Sequence, residues 1–135
     1  MQLITYLNFN GQCRDAFSFY EKCLGGKIEG MFTFGSSGMA EHVSPEWHDR
    51  IMHASLTADG QVLMGSDSPD GRGERTQGFS VSVSFADTAE ADRVFAALSE
   101  GGEVRMPIQK TEFAARFGML TDKFGIPWMV SGGHE

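Results

Sequence analysis

Basic clusters, long apolar runs and cysteine are what this sequence has least of. Lysine and arginine total 11 against 18 acidic residues, giving a formal charge of −7, and the cations are scattered along the chain. That balance argues against nucleic acid and against an anionic membrane as partners, since both need gathered positive charge. No stretch approaches the ~18 consecutive apolar residues of a membrane span. The opening MQLITYLNFNGQ has no basic segment leading into an apolar core and cleavage site; it reads as a strand, not a secretion signal. There are two cysteines, Cys13 and Cys23. On one helix they stand about 15 Å apart along the axis, too far for a disulfide, so reduced thiols in a cytoplasmic protein are expected. Nucleophile motifs, Walker loops and dinucleotide fingerprints are missing too. GSSGM (35–39) lacks the lysine and the helix start that a phosphate cradle needs.

What the sequence does hold is a repeat inside one 135-residue domain of ordinary hydrophobic content (41%). LITYLNFN (3–10) is rich in strand formers. QCRDAFSFYEKCL (12–24) then places Ala16, Phe17, Tyr20, Cys23 and Leu24 at helical spacing, and Gly25-Gly26 ends that helix. From residue 79 the text begins again. FSVSVSF (79–85) alternates strictly, with Ser80, Ser82 and Ser84 on one face. Asp87 with Glu90 resembles a capping box, and Ala91, Val94, Phe95 and Leu98 form the stripe of a second helix ending at Gly101-Gly102. The two glycine pairs lie 76 residues apart (101 − 25), and the same shift aligns Phe9 with Phe85 and Phe19 with Phe95.

Three strands are expected after each helix: 27–34, 51–56 and 61–65 in the first half, then 103–110, 117–121 and 126–130 in the second. The turns Ala58-Asp59-Gly60 and Asp122-Lys123-Phe124-Gly125 join the last two strands of each set. Each half is thus β-α-β-β-β, an α+β module: the first over about 1–66, a polar linker over about 67–78, the second over about 79–135. A ferredoxin-like order needs only two strands between its helices, and this chain offers four. A four-stranded sheet buries one face under its helix and leaves the other seeking a partner. Two such sheets can curve around a shared cleft.

The phrases YLNFNG (6–11), FYEKCLGG (19–26), IMHASL (51–56), LMGSD (63–67), EGGEVRMPIQKTEF (100–113) and FGMLTDKFGIPWMV (117–130) carry a resemblance. In that order the chain resembles the vicinal oxygen chelate superfamily, the glyoxalase and bleomycin-resistance fold, and most closely its PhnB-like branch. One departure is Phe113, where that branch leads us to expect tryptophan. The resemblance implies a homodimer. It also implies, for metal-dependent members, His or Glu ligands on the first and last strands of each module. Carried onto this chain, those positions fall around Ile4 to Tyr6 and near Met64, Ser80 and Met129. None is His, Asp or Glu, and thioethers suit hard divalent ions poorly. No metal or other cofactor is therefore expected.

Alternation selects the residues that would line a cleft: Tyr6, Asn8 and Asn10; His53, opposite a core face of Met52, Ala54 and Leu56; Ser80, Ser82 and Ser84. Trp128 beside Met129, and Glu112 and Arg116 flanking Phe113, complete the set. Amides, hydroxyls and aromatics suit a small, partly polar organic ligand. EHVSPEWHDRIMH (41–53) has no rigid ligand spacing and reads as a polar loop, while the eight methionines read mostly as core filler, with Met64 and Met129 lining the cleft floor. The expected function is metal-free binding of a small molecule. The alternative is a metal-dependent lyase, isomerase or dioxygenase with displaced ligands such as His53 and Glu112. Sequences of this branch often carry a 3-demethylubiquinone methyltransferase label, yet this chain shows no glycine-rich S-adenosylmethionine site.

Overall fold

Alternation and helical spacing resolve into strands and helices in the expected order. The computed structural model describes residues 1–38, 40–68 and 77–133. It divides into two units, Met1–Gly73 and Glu74–Glu135. Unit 1 holds β1 (Thr5–Phe9), α1 (Cys13–Leu24), β2 (Lys27–Thr33), β3 (Ile51–Ala58) and β4 (Gln61–Asp67). Unit 2 holds β5 (Val81–Phe85), α2 (Thr88–Ser99), β6 (Glu103–Gln109), β7 (Arg116–Thr121) and β8 (Pro127–Gly132). The strand orders are β1-β4-β3-β2 and β5-β8-β7-β6, with the first pair of each sheet parallel and the others antiparallel. These are two βαβββ modules of glyoxalase/bleomycin-resistance type.

In unit 1, α1 covers one sheet face. Its buried stripe, Cys13, Ala16, Phe17, Tyr20 and Cys23, follows the i, i+3, i+4 spacing of an amphipathic helix. Leu7, Phe9, Ala54, Leu56 and Leu63 are buried beneath it. Phe17 meets Phe9 and Tyr20 edge-on, with ring centres 6.3 and 6.0 Å apart. Removing each such large side chain from water stabilises the fold by roughly 1.5–3 kcal/mol. Gly65 belongs to this packing, because a Cβ there would lie 2.8 Å from a Phe17 ring carbon. In unit 2 the stripe is Ala91, Val94, Phe95 and Leu98, over Leu120, Trp128 and Val130.

The two helices start differently. Asp87 caps α2 locally, accepting from the Ala89 N–H at 3.0 Å. Glu90 turns away to Arg93, so the reciprocal half of the expected capping box does not form. Helix α1 has no side-chain cap of its own. Asp67, at the end of β4, supplies one instead. One carboxylate oxygen accepts from Gly11 N–H at 2.8 Å and Cys13 N–H at 3.0 Å, the other from Ile51 N–H at 2.9 Å. The linker was expected to begin at Asp67; the structure makes this residue a buried keystone that satisfies three backbone donors. The stretch 69–76 of that linker lies outside the described residues.

Two other expectations change. Ile51, not Met52, joins Ala54 and Leu56 in the core, because the β2–β3 register shifts between Phe32 and Thr33 and leaves Met52 as the extra, half-buried residue. Nor are the methionines core filler. Among the described residues the buried cores contain no methionine, and Met31, Met52, Met64, Met106, Met119 and Met129 are all half-buried.

Candidate functional site

Cross-strand register fixes which side chains share the sheet face opposite α1. Tyr6 pairs with Met64, Met64 with Ser55, and Ser55 with Gly30, forming one row across all four strands of unit 1. Asn8 and Ser66 form part of the next row, and His53 stands opposite Phe32. Tyr6 and Phe32 are 43% and 55% exposed, so this face is uncovered within the unit and carries aromatic surface.

On it, the Tyr6 hydroxyl and His53 Nδ1 lie 3.1 Å apart, with ring centres 5.7 Å apart. Tyr6 is on β1 and His53 on β3, so the phenol reaches across β4 to make this bond. If the phenol donates to Nδ1, the other ring nitrogen carries a proton outward; if Nδ1–H donates, the phenol proton is free. Either way the pair offers one hydrogen-bond donor to an incoming oxygen, flanked by the Asn8 amide and the Ser55 and Ser66 hydroxyls.

In unit 2 the corresponding row runs Ser82–Met129–Met119–Met106 across β5, β8, β7 and β6. Ser82 is paired with Met129 as Tyr6 is with Met64, and the 76-residue shift already carries Tyr6 to Ser82. The position expected near Ser80 is therefore Ser82, two residues on; Ser80 itself precedes β5. Trp128 is not a ligand-facing residue. It shares its face with Val81, Val130 and Gly132, and a Cβ on Gly132 would meet Ala91 of α2 at 2.6 Å. Adjacent strand residues point to opposite faces, so Trp128 and Met129 cannot both line one surface. The indole is 1% exposed and donates to the Asp122 carboxylate at 2.9 Å.

The loop between β6 and β7 carries the remaining candidates. Glu112 is exposed, and Phe113, 64% exposed, stacks edge-on against Phe117 with centres 4.9 Å apart. Arg116 turns to the helix side, its Nε donating to Asp92 of α2 at 2.7 Å. The polar loop of unit 1 forms two short 3-10 turns, Ala40–His42 and Pro45–Trp47, tied by the 2.9 Å contact between His48 Nε2 and the Ala40 carbonyl. Near it, a cavity of about 280 Å³ opens at the N-terminal end of α1 between Arg14, Arg50, Asp15, Glu46 and Asp49. Arg50 stacks on Trp47 there at 4.3 Å. The mixed signs favour no one ligand charge.

The donor set does not fit the divalent metal of the superfamily. At the positions where the family resemblance implies metal ligands, the paired residues offer phenol and thioether in unit 1 and hydroxyl and thioether in unit 2, a poor match for a hard divalent ion. Among the described residues, no three His, Cys, Asp or Glu gather to hold an ion. Cys13 is equally unsuited to chemistry. Its thiol is pushed up to about 12, first by burial and then by the Asp67 carboxylate, with Arg14 opposing.

Comparison with known proteins agrees with this architecture. The family model described as 3-demethylubiquinone-9 3-methyltransferase matches residues 1–131. The chain belongs to that family. It is similar in structure to protein PA1353 from Pseudomonas aeruginosa, with 46% identity, a TM-score of 0.90 and coverage of 100% of this chain and 99% of that one. The PhnB protein from Bacillus cereus is 27% identical with a TM-score of 0.82, covering 98% and 99%. A glyoxylase/bleomycin resistance protein/dioxygenase domain from Frankia sp. EAN1pec shares the fold alone: 16% identity, TM-score 0.69, coverage 99% and 98%. These place the chain in the PhnB-like branch of the vicinal oxygen chelate superfamily.

Proposed function

We propose that this PhnB-like protein binds a small, partly polar organic molecule on the open sheet face carrying Tyr6 and His53, without the divalent metal of its superfamily. The observation that carries the reading is the Tyr6–His53 bond on an exposed face, beside the Tyr6–Met64 pair where the family resemblance implies metal ligands. Aromatic surface from Tyr6 and Phe32 supplies apolar contact, and the donor of the Tyr6–His53 pair orients a ligand oxygen. The lyase, isomerase or dioxygenase reading gathers no third His, Cys, Asp or Glu around His53 or Glu112 among the described residues.

The methyltransferase description of the family finds no support at the β1–α1 turn. In nucleotide-binding folds that turn offers helix N–H groups to a ligand; here the Asp67 carboxylate accepts from Gly11 and Cys13.

Thermal-shift screening of small aromatic and oxyanionic metabolites tests the binding. A stabilising ligand is expected whose effect falls at least tenfold in affinity in His53→Ala and more mildly in Tyr6→Phe. Elemental analysis of protein purified without chelator tests the metal. One tightly held divalent ion per chain, lost in His53→Ala, would overturn the metal-free reading.

A further inference from the structure

We propose that Met106, Met119 and Met129 form a binding site for one soft monovalent cation, Cu(I) or Ag(I), on the face of the unit 2 sheet turned away from α2. Met106 pairs with Met119 and Met119 with Met129, so the three stand on adjacent strands in one row. Neighbouring strands lie about 4.8 Å apart, and paired residues project to the same side. That side is away from α2: Gly118 and Gly132, on the opposite face, are packed against Phe95 and Ala91.

Chemistry then selects the cation. Thioether sulfur is a soft ligand that favours Cu(I) and is a poor match for Mg²⁺, Ca²⁺ or Mn²⁺. Each methionine has three rotatable side-chain bonds, so the outer two can lean onto the middle one and present three sulfurs to one ion.

The composition of the face separates this from ordinary packing. Methionine is absent from the buried cores among the described residues, where Leu, Val, Ile, Phe and Trp do the filling. Three of the eight methionines in the chain fall instead in one half-buried row. Arg105, the unpaired residue at the β6 register shift beside Met106, donates to Thr121 Oγ1 at 2.7 Å, and its charge is offset by Glu103 at 3.8 Å. Serine completes the row at Ser82, adding no competing hard anionic ligand.

The test uses the full chain labelled with [methyl-¹³C]methionine and titrated with Ag(I) alone. The methyl signals of Met106, Met119 and Met129 should move together and saturate at one equivalent, while that of Met31 stays in place. Met119→Leu keeps the side-chain volume and is expected to weaken Ag(I) binding at least tenfold. Met31→Leu, on β2 of unit 1, should leave it unchanged. Silver taken up with the three methyl signals unmoved, as by Cys13 or Cys23, would overturn the proposal. So would unchanged affinity in Met119→Leu. Should Met119→Leu fail to fold, the methyl titration of the unsubstituted protein decides alone.

Discussion

At the scale of single residues, two buried carboxylates do work that neither composition nor periodicity announces. Asp67 satisfies three backbone donors from β3 and the α1 entry, and Asp122 accepts from Phe124 and Ile126 N–H and from the Trp128 indole. Asp67 also sets the character of its neighbour. The Cys13 thiol, fully buried and facing that carboxylate, has its ionisation pushed from 9.0 to about 12. The sign of the linkage follows. Below pH 9 the thiol is protonated whether the chain is folded or not. Between pH 9 and about 12 the unfolded chain releases this proton and the folded one keeps it, so stability falls as pH rises through that window. The slope is at most one proton, about 1.4 kcal/mol per pH unit. Urea unfolding of the parent and Cys13→Ala across this range is expected to give a steeper alkaline decline for the parent. Parallel curves would mean that the buried thiol titrates normally.

At the scale of elements, the twin glycine pairs explain how each helix hands over to its next strand. Gly25 and Gly101 take positive φ of 67° and 75°, the left-handed turn that ends each helix. Their followers serve another purpose. A Cβ on Gly26 would lie 2.6 Å from the Thr57 carbonyl oxygen, and one on Gly102 only 2.3 Å from that of Thr121. Gly102→Ala must therefore push backbone apart, with an expected loss on the order of 2–3 kcal/mol. Gly101→Ala meets mainly the flexible Lys123 side chain and adds about 1 kcal/mol of backbone strain. Denaturant unfolding should rank Gly102→Ala as the worse of the two; the reverse order would contradict the close-approach argument. The glycine pairs were legible because local conformation and periodicity write themselves into neighbouring residues. So were the strict alternation at 79–85 and the Asp59-Gly60 turn, where Asp59 and Gly60 both have positive φ. The Asp67 cap was not, because donor and acceptor are 54 residues apart in sequence and only the β1–β4 pairing joins them. The Tyr6–His53 bond was half legible. Alternation put both on one kind of face, but their meeting depends on strand order and register. The side taken by Trp128 is not legible from its neighbours, because it and Met129 point to opposite faces and only the β5–β8 pairing decides which one meets α2.

At the scale of the whole molecule, the acidic charge and the exposed apolar side chains pull against each other. A charge of −7 disfavours self-association and nucleic-acid binding alike. Against it stand Phe32 on the edge strand β2, Val104 on the edge strand β6, and exposed Phe79 and Phe113. Edge strands present unpaired backbone groups, and apolar side chains on them make a second copy of the chain a natural cover. The homodimer implied by family resemblance is thus a proposal with a definite salt signature. If apolar contact holds the copies together while like charges repel, raising ionic strength screens the repulsion and tightens the dimer. Sedimentation velocity at low and high salt should show a species of twice 14.8 kDa that persists to lower protein concentration as salt rises. Phe32→Glu and Val104→Glu, each adding a like charge at one edge, report which edge is buried: the variant that shifts the protein to monomer names it. A monomer at all concentrations and salts would remove the dimer. A dimer that loosens with salt would mean that ion pairs, and not these apolar edges, join the two chains.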